Sequence, residues 1–154
     1  MRRWRGRWTM LLALGGGAAP AALAAQGSAP VMTVGRLHYD GGGDWYANPS
    51  SLPNLLDAIR SRTPIRVAAE EKVVTLSGDD LWNVPYIYMT GHGNVHWSDA
   101  DLRTLRRYLE QGGFLHVDDN YGMDASFRRE IKRVFPDRPL VDVPIGRASC
   151  RERV

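Results

Sequence analysis

Hydrophobic and polar positions along the chain switch repeatedly between a period of two and a period near 3.6. Thr33-Val34-Gly35-Arg36-Leu37-His38-Tyr39 alternates and carries β-type side chains, which predicts a first strand ending at the polar run Asp40-Gly41-Gly42-Gly43-Asp44. Leu52, Leu55, Leu56 and Ile59 then fall at i, i+3, i+4 and i+7, one face of a helix. Ser50 or Ser51 can cap it, Pro53 is tolerated in its first turn, and it ends near Arg62, before Pro64. Val73-Val74-Thr75-Leu76 predicts a second strand, closed by the polar turn Ser77-Gly78-Asp79-Asp80. Tyr86-Ile87-Tyr88-Met89 is a third, apolar on both faces as suits a buried parallel strand. Ser98 with Asp101 approximates a capping box for a helix carrying Leu102, Leu105, Tyr108 and Leu109 as far as Gly112-Gly113. Phe114-Leu115-His116-Val117 predicts a fourth strand. Ala125 to Phe135 predicts a third helix, with Phe127, Ile131, Val134 and Phe135 on its buried stripe and Pro136 at its end, and Leu140-Val141-Asp142-Val143 predicts a further strand.

Strands alternating with helices of this length need crossover connections, so the expected fold is α/β, three-layered, with a largely parallel sheet and helices on both faces. Length and composition agree: 154 residues with 44% hydrophobic and 24% charged side chains suit one globular domain.

Both ends differ from this body. Arg2, Arg3, Arg5 and Arg7 precede an apolar run from Met10 to Leu14 and then Gly and Ala to Ala25, the order of a secretory signal with Ala22-Leu23-Ala24 as its cleavage site. The expected division is a signal peptide over 1–24, a leader over 25–32 and the α/β domain over 33–144. Export to the periplasm or cell envelope follows as an expectation, by the general or the twin-arginine route. The stretch Ile145 to Val154 resembles one translated reading frame of a sequencing-adapter oligonucleotide, so 145–154 is expected to be non-native and the domain incomplete at its C-terminal side.

Setting both ends aside changes the charge. The formal +3 contains four positive charges from the signal and a net two from the tail, which leaves −3 for the body. A basic overall balance is therefore no argument for nucleic acid, and none is expected as a partner. The runs Arg103, Arg106, Arg107 and Arg128, Arg129, Lys132, Arg133 read as solvated helix faces. Cys150 is the one cysteine and lies in the tail, so the body has neither disulfide nor thiol nucleophile.

In an open α/β sheet, ligands bind beyond the carboxyl ends of the strands, which makes the residues after each strand the candidates. Those after the first, third and fourth strands supply Asp40, Gly41, Gly42, Gly43, Asp44 and Trp45; Gly91, His92 and Gly93; and Asn120 with Tyr121. His92, Asp118 and Asp119 are a hard-oxygen-plus-imidazole set that suits a divalent metal, although their spacing matches no compact metal motif. The plainer alternative is that the Asp residues cap turns and helix ends while the glycines allow tight loops. Gly41-Gly42-Gly43 lacks the rest of a nucleotide-binding motif. His38, His96 and His116 read as packing residues, His116 sharing a strand face with Asp118. Trp45, Tyr46, Trp82, Trp97 and Tyr121 lie in or near the same loops and suit stacking on sugars or small loop cores.

Arg36 to Trp45, Ser51-Leu52-Pro53-Asn54-Leu55, Thr90-Gly91-His92-Gly93 and Gly112 to Gly122 together resemble the bacterial domain of unknown function 4159 family, over nearly all of Arg36 to Pro144. The resemblance implies a fold of glutamine amidotransferase-like or flavodoxin-like type in exported or membrane-anchored proteins, with no established activity and no catalytic residues to transfer. One departure from amidotransferases matters: where their strand leads to a nucleophilic cysteine, Phe114 to Val117 leads into Asp118-Asp119. The expected function is ligand binding at the carboxyl edge, of an envelope protein or carbohydrate and with a divalent metal as a candidate cofactor. The alternatives are a metal-assisted hydrolase of envelope or carbohydrate material, with His92, Asp118 and Asp119 on the metal and Asp40 or Asp44 as base, and a structural or assembly module.

Overall fold

The computed structural model describes residues 31–143. The expected signal peptide (1–24), most of the expected leader (25–32) and the expected non-native tail (145–154) lie outside the described residues. Four strands form one sheet in the order β2-β1-β3-β4, with every pair parallel: β1 (Val34–Leu37), β2 (Lys72–Val74), β3 (Tyr86–His92) and β4 (Phe114–Tyr121). Three helices connect and cover them: α1 (Ser51–Arg62), α2 (Asp99–Glu110) and α3 (Asp124–Val134).

The strand period sorts side chains to two faces. Val34 of β1 and Tyr88 of β3 meet Leu52 and Leu56 of α1 on one face. Leu37, Val74, Ile87 and Met89 meet Leu105 and Tyr108 of α2, Val134 of α3 and Met123 just before it on the other, with Trp97 buried beside them. The result is the expected three-layer α/β arrangement, with the larger core under α2 and α3.

Local chemistry explains the element ends. Ser98 and Asp101 form the expected reciprocal cap on α2, and Gly112 follows that helix with φ +95°. At α1 the Ser50 side chain makes no cap; the Ser51 hydroxyl instead donates to the Asn48 carbonyl at 2.8 Å. The polar stretch after β2 winds into a 3₁₀ helix at Asp79–Asn83, which tucks Leu81 into the core.

Two expectations fail in extent. β3 and β4 run on through Thr90–His92 and Asp118–Tyr121, residues whose polarity suggested loops, because the two strands keep pairing to their ends. Leu140 to Val143 forms no strand: the segment is exposed and pairs with nothing among the described residues. An alternating pattern specifies a strand only when a neighbouring edge accepts its backbone bonds.

Candidate functional site

Connections from β1 and β3 leave on opposite faces, through α1 and α2, so the switch point of the sheet lies between their carboxyl ends, the position where open α/β sheets place ligands. The loop after β1 and the loop after β3 are pressed together there. The Asp40 carbonyl accepts from the His96 N–H at 2.8 Å. A Cβ on Gly41 would sit 2.6 Å from the His96 nitrogen, and one on Gly43 would sit 2.6 Å from the Tyr39 hydroxyl oxygen and 3.0 Å from the Asn94 carbonyl. The glycine run is therefore an inter-loop contact surface rather than a phosphate cradle. Gly42, which shares the positive φ of Gly41, differs in having open space around it.

That approach delivers Asp44 to His92. One Asp44 carboxylate oxygen accepts the His92 backbone N–H, and Oδ2 lies 2.9 Å from the ring Nδ1. The backbone donor first, and the ring donor second, hold the Asp44 carboxyl below the usual carboxylate range. In the neutral ring, the tautomer with its proton on Nδ1 serves this bond and leaves a lone pair on Nε2; the His92 side chain is 54% exposed. Gly91 makes room for the pair: its φ is +149°, and a Cβ there would lie 2.3 Å from the Tyr39 hydroxyl oxygen and 3.0 Å from Asp44 Oδ1. Gly93, at φ +82°, turns the chain away on the far side. Tyr39 is buried below and donates to the Thr90 carbonyl at 3.1 Å; burial, helped by the Asp44 charge, pushes its phenol up to about 12.

The other candidates divide. Trp45 stacks on His38 at 4.3 Å between centroids and meets Tyr46 edge-on, while Tyr46 and Tyr121 are exposed. Asn120 accepts at Oδ1 from Asn48 Nδ2 at 2.7 Å, and its own Nδ2 is buried without a partner, as is the Thr90 hydroxyl. Asp118 takes the Tyr88 hydroxyl at 2.9 Å, and His116 Nδ1 meets that of Tyr86 at 2.6 Å. Asp119 accepts the backbone N–H groups of Met123 and Asp124 at 2.9 and 3.1 Å, which makes it the cap of α3. His92, Asp118 and Asp119 are thus each engaged separately, and among the described residues no group of three or more His, Cys, Asp or Glu side chains could hold a metal ion. Trp82 lies just before β3, at the opposite end of the sheet, under the Arg107 guanidinium at 4.6 Å.

A family model, Domain of unknown function (DUF4159), matches residues 33–148. The chain belongs to this family. No curated protein gives a significant match. The matched span contains the Asp44–His92 pair and every other candidate residue, so the family's domain is the unit that carries this site.

Sequence reasoning missed Arg36. It is almost fully buried in β1, donates to the Ala47 carbonyl at 3.0 Å and pairs with Glu71 at 3.4 Å, so it anchors the far end of the Asp44 loop. A cation inside a strand of alternating pattern was the available signal. It also missed Thr75, Ser77 and Ser98, which with Asp40 line a cavity of about 280 Å³ between the ends of β1 and β2 and the start of α2.

Proposed function

We propose that the domain binds a small, neutral, polyhydroxylated ligand of carbohydrate type at the carboxyl edge of its sheet, with His92 as the group that meets it. The Asp44–His92 pair carries this reading. A carboxylate that only stapled two loops would need one backbone bond; Asp44 also takes the ring nitrogen, which orients the imidazole and leaves Nε2 as an acceptor facing solvent. Exposed Tyr46, on the loop after β1, and Tyr121, at the end of β4, lie at the same edge and offer stacking faces for a sugar ring.

We read the arginine-rich leader as an export signal, which makes cell-envelope carbohydrate the natural source of ligand. The order β2-β1-β3-β4 with parallel pairing supports an amidotransferase-like or flavodoxin-like reading of the sheet. Thiol-based glutamine hydrolysis forms no part of the proposal, since β4 carries Asp118-Asp119 where a nucleophile would be needed. Calorimetric titration of the full chain with neutral envelope sugars tests the function. At least one should bind, with affinity about tenfold weaker in His92→Ala, the effect of one hydrogen bond. No heat with any sugar, or equal affinity in the variant, contradicts it.

A further inference from the structure

The geometry points to a second ligand site, independent of His92: the 280 Å³ cavity on the β2 side of β1, which fits a small protonated amine that also bears hydroxyl groups. The strand order separates the two places. Asp44 and His92 bridge the ends of β1 and β3, whereas the cavity lies between the ends of β1 and β2 under the first turn of α2. Its volume equals that of about nine waters at ~30 Å³ each, below the usual range for drug-sized ligands, so the occupant is about the size of one sugar ring.

The lining sets the charge. Asp40 and Asp101 contribute carboxylates, and no Lys or Arg lines the cavity. Asp101 Oδ2 accepts from the Ser98 N–H and hydroxyl at 3.1 and 2.6 Å, which leaves Oδ1. Asp40 is held only through its backbone, at the bridge to His96; its carboxylate has no partner among the described residues. Cations that could neutralise these groups are engaged elsewhere, Lys72 with Asp80 at 2.7 Å and Arg133 with Asp99 and Glu130. An anion is disfavoured for the same reason, and because the α2 N-terminus already has its cap and two acidic residues in its first turn.

Ser77 and Thr75 supply hydroxyls on one wall, while Leu76 and Trp97 supply the apolar surface that carbon-bound hydrogens of a ligand require. The indole Nε1 of Trp97, in that wall, is buried without a partner. No three-ligand metal group exists among the described residues, so an ammonium rather than a metal ion is the matching cation.

Amide NMR of the full chain, titrated with glucosamine and with glucose as its uncharged counterpart, tests this. Glucosamine should shift the amides of Ser77, Ser98 and Ala100 and bind about tenfold more tightly than glucose, the worth of one charge-assisted hydrogen bond. Asp40→Asn, at an exposed position, should reduce that preference to within about twofold, and His92→Ala should leave it intact. Equal affinities, shifts confined to Gly91–Gly93, no shifts, or the same shifts with calcium chloride alone would each overturn the amine site. Loss of glucose shifts at Gly91–Gly93 in His92→Ala, by contrast, bears only on the His92 reading.

Discussion

Two carboxylates clamp loops in this domain, and they do it in opposite surroundings. Glu130 on α3 is 2% exposed and receives the Trp97 N–H at 3.2 Å, Arg133 at 2.6 Å and Arg129 at 3.1 Å. Burial pushes its carboxyl up, but the Trp97 N–H and the two guanidinium groups outweigh that and leave it below the ordinary value. Both its oxygens are taken by the protein's own donors, and the carboxylate itself is out of reach of a ligand. Asp44 uses the same device, a backbone N–H plus a side-chain donor, at the rim of the sheet, and there the side-chain donor is a ring with a second, free nitrogen. A saturated, buried clamp reads as architecture, whereas an open clamp with an unused acceptor reads as a site.

Breaking the Glu130 clamp should have the largest effect. Glu130→Ala leaves the Trp97 N–H without its acceptor and Arg133 with Asp99 alone, and is expected to cost about 3 kcal/mol in urea unfolding, the upper range for stranding a buried donor. Next comes Gly91→Ala, where positive φ and the Tyr39 hydroxyl both oppose a side chain; the backbone strain alone is about 1–3 kcal/mol. Gly42→Ala, in open space, should cost about 1 kcal/mol by the same measurement. Equal losses at the two glycines would show that inter-loop contact is not what Gly91 secures.

Acid sharpens the contrast. Both carboxyls lie below their unfolded values, so the stability each contributes is complete above the unfolded carboxylate pKa, near 4, and is lost as pH falls through the lower folded value. Glu130→Gln should flatten the acid limb of a stability–pH curve most, and Asp44→Asn less, because Asp44 is about a third exposed and solvent screens its bonds. The smallest stability effect is therefore expected for Asp44→Asn and His92→Ala, whose thermal melts should resemble the parent while sugar binding weakens.

The elements were legible where periodicity and packing coincide. Leu52 and Leu56 mark α1, Leu105 and Tyr108 mark α2, and Ser98 with Asp101 marks a start that the structure reproduces. Strand limits were not, because Thr90 to His92 and Asp118 to Tyr121 look like loop residues yet continue a ladder that only a partner strand defines. The convergence of Asp44 and His92 could be anticipated as loops on one edge, but their pairing depends on glycine contacts invisible in one dimension. Asp119 misled for the reason Asp residues often do: its carboxylate caps a helix. The cavity was illegible, since Asp40, Ser77 and Ser98 are brought together only by the packing of α2 on β1 and β2.

The protonation and accessibility of His92 test the central claim most directly. Long-range proton–nitrogen correlation of the His92 ring should show the hydrogen on Nδ1, an unprotonated Nε2, and movement of the Nε2 signal when a bound envelope sugar is added. Hydrogen on Nε2 in the free protein, or ring signals unmoved by every sugar that binds, would contradict it.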